Sequence, residues 1–313
     1  MRRGWLRGPL LCLPLLCMPL LSGCLYHTRK LQPVAPSGAV MNADATLLAS
    51  ILSRTYDSVQ TLAATVDLQA SVGGAQKGTV TDYTSFRGFI LLRKPEMLRV
   101  IGLLPVLRTQ AFDLVSDGST FKLYIPSKTE AIEGENSLTA KSPNPLFNLR
   151  PNMFFDSMLI RKIQPGDQVF LTTDNNVIQD PKTKKYKEVR DYLLWFVRAK
   201  TGTKGPNAIP ELIPERRVRF NSENLQPIEQ VVYDEDGKPE TVTLYGPLQT
   251  FGTEKFPGTI TIKRPQEEYQ IVMTVQKLVL NQTLKDDQFQ LDIPDGVKIQ
   301  KLDAGAPDLG RRE

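Results

Sequence analysis

From residue 64 the side chains alternate in character. Val66, Leu68, Ala70 and Val72 are apolar, and Thr65, Asp67, Gln69 and Ser71 between them are polar. A two-residue period puts one set on each face of an extended chain, so this stretch predicts a strand with one buried and one wet face. Strand-like runs follow at 86–93, 97–103, 108–116 and 120–125, and again at 168–173, 189–199, 215–221, 227–234, 240–246, 258–263, 269–280 and 287–293. Gly73-Gly74 closes the first run, and Asp117-Gly118 and Asp236-Gly237 are hairpin signals. A succession of short hairpin-linked strands predicts a mainly β chain, a meandering antiparallel sheet that curls into a barrel or half-barrel.

Two stretches break the pattern. Leu48, Ile51, Leu52, Thr55, Val59 and Leu62 recur at three and four residues, one face of a helix, with Asn42 or Asp44 placed to cap it. A second helical stretch lies within 143–163, where Met153, Phe154, Met158 and Leu159 can share a face. Residues 174–188 and 200–213 read as polar loops.

The N-terminus speaks to location. Arg2, Arg3 and Arg7 precede an apolar run at 9–22 that is too short to span a bilayer and is interrupted by Pro9, Pro14 and Pro19. This is the order of a secretory signal. Leu21-Ser22-Gly23-Cys24 resembles the lipobox of bacterial lipoproteins, which implies a diacylglycerol thioether on Cys24. The expected organisation is a signal peptide at 1–23, a lipid-anchored tether at 24–43, one domain at 44–300 and a disordered tail at 301–313. Pro33, Pro36, Ser37 and Gly38 keep the tether irregular.

Composition narrows the function. The chain has 39 Lys and Arg against 34 Asp and Glu, and removing the three basic residues before Cys24 leaves 36 against 34. That balance gives no support to a nucleic-acid partner. Cys12 and Cys17 lie in the signal, Cys24 takes the lipid, and His27 is the single histidine. The domain therefore has neither thiol nor imidazole for nucleophilic catalysis. No Gly-x-Ser-x-Gly, phosphate-binding glycine loop or zinc spacing occurs. The chain reads as non-catalytic, with no cofactor and no metal. Asp234-Glu235-Asp236-Gly237 lacks the rest of a calcium loop and reads as a hairpin turn. Lys182, Lys184, Lys185 and Lys187 read as a solvated loop, with lipid-headgroup contact as the lesser alternative.

The unusual feature is apolar. Leu103-Leu104-Pro105-Val106-Leu107 sits where Gly102 and Pro105 predict a turn, and turns are normally polar. Two readings stay open. The loop either folds back as a hydrophobic plug or projects to meet a membrane or an acyl chain.

At this loop the chain resembles the LolA/LolB-like family of periplasmic lipoprotein carriers and their outer-membrane receptor. The family's apolar turn is built on Pro-Leu-Gly. Here it reads Pro105-Val106-Leu107, with Leu in place of the Gly. Asn144-Pro145-Leu146 through Leu159 resembles the family's helical insert. Ile228 to Tyr233, the Asp236-Gly237-Lys238 turn, Val242 to Tyr245, and Phe256 to Ile262 followed by Ile271-Val272-Met273 resemble its late strands. Asp287 to Pro294 resembles its closing strand.

The resemblance implies an unclosed, strongly curved antiparallel half-barrel with helices covering its concave side and an acyl chain held between them. The cavity-lining candidates are Val66, Leu68, Phe89, Leu91, Phe112, Leu114, Trp195, Ile260, Ile262 and Met273. The implied partners are membrane lipid at the Cys24 anchor, the acyl chains of lipoproteins or other lipids, and a periplasmic carrier protein. Leu25 rather than Asp after the Cys implies the outer membrane, facing the periplasm. The alternative function is a scaffold lipoprotein of an envelope assembly with a filled interior.

Overall fold

The computed structural model describes residues 33–36, 38–105, 109–136, 149–180, 183–199 and 211–302. The signal segment, Cys24, His27, Val106, Leu107, Lys182 and the stretch from Asn144 to Asn148 lie outside these residues.

The first helix, α1 (Ala45–Ser58), begins where Asp44 accepts a hydrogen bond from the Leu47 amide at 2.7 Å. It ends at Ser58, so Val59 and Leu62, expected on its face, belong to the chain that follows. The strands before the second helix are β1 (Thr61–Gly74), β2 (Thr79–Asp82), β3 (Phe86–Arg93), β4 (Met97–Leu103), β5 (Gln110–Ser116), β6 (Thr120–Ile125) and β7 (Glu130–Glu135). Then come α2 (Pro151–Met158), β8 (Gln168–Gln179), β9 (Tyr186–Ala199), β10 (Leu212–Asn221), β11 (Pro227–Tyr233) and β12 (Pro239–Tyr245). The chain closes with β13 (Leu248–Phe251), β14 (Glu254–Pro257), β15 (Thr259–Arg264), β16 (Tyr269–Leu280) and β17 (Lys298–Leu302).

Among the described residues these form one 15-stranded sheet in the order β17-β7-β6-β5-β4-β3-β1-β16-β15-β12-β11-β10-β9-β8, with β2 paired to β1 and β13-β14 standing apart as a hairpin. The path does not close. β1, the first strand in sequence, lies between β3 and β16 and is bonded along most of its length on both sides. The runs β3 to β7 and β9 to β12 pair antiparallel strand by strand, as hairpin links require. The sheet is nevertheless mixed, because β17 pairs parallel with β7, which corrects the expectation of a purely antiparallel one.

The turns form as their residues predict. Asp117 Oδ1 accepts from the amides of Ser119 at 2.8 Å and Thr120 at 2.7 Å, and Gly118 takes φ +98° between β5 and β6. Asp234 Oδ1 similarly accepts from the amides of Asp236 and Lys238 around Gly237, so the Asp234 carboxylate is committed to the β11–β12 turn.

Further expectations fail, among them the start of the tail at 301, since Lys301 and Leu302 belong to β17. Residues 287–293 form no strand. Asp286–Phe289 is a 3₁₀ turn lying over the β3–β5 face, where Arg93 donates to the Leu284 carbonyl at 2.8 Å and Arg99 to the Gln288 carbonyl at 3.1 Å. Within 174–188, read as a loop, β8 and β9 continue as a hairpin.

The described residues fall into two compact units, one holding 33–36 with 177–188 and the other nearly all the rest. In the larger unit the apolar side chains form two clusters. In one, α1 packs Leu48 and Leu52 against Tyr192, Leu194 and Phe196 of β9 and Val218 and Phe220 of β10. In the other, α2 packs Met153, Phe154, Phe155 and Met158 with residues of β1, β3–β7, β15 and β16.

Candidate functional site

The β3–β4 pair carries the site. Gly88 and Gly102 lie directly opposite each other. A Cβ on Gly102 would come within 2.6 Å of the Phe112 ring and 2.8 Å of Phe86, and one on Gly88 within 2.6 Å of Leu68. The missing side chains make the space in which Phe86 and Phe112 meet edge to face, with ring centroids 6.1 Å apart. β4 runs on to Leu103, and the Leu104 amide then donates to the Thr109 carbonyl at 2.8 Å. This bond holds Leu104 and Pro105 at the strand end.

Beside them opens a cleft of about 450 Å³ lined by Asp67, Ser85, Phe86, Arg87, Phe89, Leu103, Leu104 and Pro105. Leu104 is 40 % and Phe89 38 % exposed. The charged rim is modest: Arg87 and Asp67 approach to 3.8 Å across exposed side chains, and Gln276 donates to Asp67 at 2.8 Å. Its lining is mixed: Phe86, Phe89, Leu103, Leu104 and Pro105 form an apolar wall along which an alkyl chain could lie, and Asp67, Ser85 and Arg87 form the polar remainder. Of the loop residues singled out in the sequence, Leu103, Leu104 and Pro105 come together here, whereas Val106 and Leu107 are not among the described residues. Phe86 and Gly88 were missed, and Gly102, expected in a turn, lies within β4 opposite Gly88. Their signal was a paired glycine inside two otherwise apolar strands.

The ten cavity candidates divide by face. Val66, Leu68, Phe112, Leu114, Ile260, Ile262 and Met273 are 0–8 % exposed in the cluster that includes α2. Phe89, Leu91 and Trp195 lie on the other face. Phe89 sits opposite Thr65 and Ile101, while its inward neighbour Ile90 is fully buried. Trp195 stacks between Phe170 and Tyr233, with Arg217 5.3 Å from its ring. A one-residue change in parity moves a whole strand between faces, and these strands are apolar on both.

α2 is buried nearly all round. Its polar residues hold its C-terminal end. Ser157 Oγ and Thr243 Oγ1 are 2.7 Å apart, and Gln230 donates to the Asp156 carbonyl at 3.0 Å. The Asp156 carboxylate pairs with Arg161, which also reaches Glu96 at 2.6 Å. Burial raises the Asp156 carboxyl above the usual carboxylate range despite that partner. A cleft of about 290 Å³ here is lined by Asp156, Arg161, Lys162, Asp167, Glu215 and Arg216 among others. Its charge makes it a poor place for a hydrocarbon. No helix among the described residues is long and apolar enough to cross a membrane.

No protein-family model matches the chain, and no curated protein sequence does. Among solved structures the chain is similar to a LolA superfamily protein from Nitrosomonas europaea, at 13 % identity and a TM-score of 0.48 over 80 % of this chain and 99 % of that one. It is also similar to a DUF1329 family protein from Desulfovibrio piger, at 12 % identity and a TM-score of 0.48 over 79 % and 95 % of the two chains. A Vibrio parahaemolyticus domain described as that of an outer membrane lipoprotein-sorting protein aligns at 10 % identity and a TM-score of 0.45 over 79 % and 95 %. The resemblance read in the sequence is to the same superfamily as the first of these.

Proposed function

We propose that this chain is a non-catalytic envelope lipoprotein, anchored through Cys24 at the outer membrane and facing the periplasm. It takes acyl chains of lipidated proteins or other lipids at the β3–β4 cleft and releases them to the membrane. The observation that carries this reading is the cleft itself, a recess of about 450 Å³ open to solvent whose apolar wall is Phe86, Phe89, Leu103, Leu104 and Pro105, with Leu104 and Phe89 exposed at its edge.

The energetics fit transfer rather than storage. An alkyl chain gains about 0.8 kcal/mol for each methylene withdrawn from water. Half a dozen methylenes in the cleft supply roughly 5 kcal/mol, a sub-millimolar hold before ordering costs. Such a chain leaves readily for a bilayer. Deeper enclosure on the inward face requires α2 to give way, because Phe154 and Phe155 already occupy that space.

The filled inward face also favours a second reading, the envelope scaffold, in which the packed side chains are only a core. A fluorescent fatty acid titrated into the protein separates the two. Acyl handling predicts saturable binding that Leu104→Glu weakens at least about tenfold. Saturable binding that survives Leu104→Glu unchanged removes the cleft from the account, and no binding leaves the scaffold.

A further inference from the structure

The smaller compact unit carries a surface that the acyl-binding cleft does not explain. Ala35 forms a parallel bridge with Lys187: the Ala35 amide donates to the Tyr186 carbonyl at 2.9 Å, and the Glu188 amide donates to the Ala35 carbonyl at 2.9 Å. The segment following the expected anchor is thereby fastened to the start of β9. Around this bridge Val34, Val177, Ile178 and Tyr186 are each between 43 and 55 % exposed. Val177 and Ile178 are adjacent on β8, so they point to opposite faces of the ribbon. Both being exposed, this part of the hairpin has no core side. Lys184 and Lys185 are exposed beside them.

We propose that this hairpin, with residues 33–36 bound to it, is a second membrane contact, which rests at the headgroup level of an anionic bilayer. Three observations choose that occupant. Eight residues lie between Cys24 and Pro33, a reach of at most about 30 Å, so a lipid on Cys24 keeps the hairpin within range of the bilayer. Apolar side chains on both faces suit a medium that meets the ribbon on both sides. A tyrosine and two lysines are the side chains that settle at an anionic interface. The depth is limited, because β8 is the edge of the sheet and its outer backbone groups need water. The proposal rests on the anchoring at Cys24 stated above, and it is independent of acyl binding.

The test uses the full chain reconstituted in phosphatidylcholine vesicles with or without phosphatidylglycerol, with an environment-sensitive fluorophore on Ile178→Cys. The label is expected to be quenched by headgroup-spin-labelled lipid, several-fold more than one at Thr250→Cys. Lys184→Gln with Lys185→Gln should reduce the seated fraction about tenfold or more, and only where phosphatidylglycerol is present. A label at 178 quenched no more than one at 250 overturns the proposal. Fatty-acid binding measured on the same samples reports separately on the cleft, so either claim can fail while the other stands.

Discussion

Leu104 is the most informative side chain to change. It is exposed and its backbone is already bonded to Thr109, so Leu104→Glu should leave thermal stability within about 0.5 kcal/mol of the parent while weakening acyl binding at least about tenfold. Gly102 predicts the opposite. Any side chain there collides with Phe112 and Phe86, so Gly102→Val should cost about 1–3 kcal/mol by overpacking, read as a lower denaturant midpoint with an unchanged slope. Asp117 gives a pH signature. The Thr120 amide, followed by other turn donors, holds its carboxyl below the usual range. A depressed acid stabilises the fold above its unfolded value and loses that contribution as pH falls through the folded one. Asp117→Asn should therefore cost stability at neutral pH and cost progressively less below about pH 4. The sequence made these turn residues legible because Asp-Gly has its own local chemistry. It left the inward face of β3 and β9 illegible. Phe89-Ile-Leu-Leu and Tyr192-Leu-Leu-Trp-Phe-Val are apolar at every position, so parity is decided only by the partner strands.

Elements were legible where an apolar or alternating run stands out between turn residues. β3, β4, β6 and β16 lie where their pattern places them. β2, β7 and β17 were missed because Thr79–Asp82, Glu130–Glu135 and Lys298–Leu302 are polar segments that extend only by pairing with a neighbour already in place. Phe289 looked like a strand residue, yet it serves as an anchor under Arg93, 5.0 Å from its guanidinium, in a 3₁₀ turn. α2 is the element whose behaviour bears on function. It has eight residues, starts at Pro151 and has no side-chain cap at its N-terminus, whereas β1 is bonded on both sides. Hydrogen exchange should open α2 well before β1. Equal protection of the two would mean that α2 opens only on global unfolding, and would confine any ligand to the outer cleft.

At the scale of the molecule, a cleft with an apolar wall at the end of β4 belongs to a chain expected to be fixed to a membrane. The strand pattern in the sequence was enough to anticipate a mainly β chain of hairpin-linked strands, the unclosed sheet was implied only by the family resemblance, and the apolar turn was enough to direct attention to residues 103–105. The cleft was not legible, because it depends on Phe86 and Phe89 reaching the same edge from opposite faces of one strand. A fatty acid bearing a photoreactive diazirine near its methyl end tests this most directly. Irradiated with the protein and mapped by peptide mass spectrometry, it should attach within residues 85–105, and excess unlabelled fatty acid should abolish the attachment. Attachment scattered over the surface, or none that competitor removes, would contradict the account.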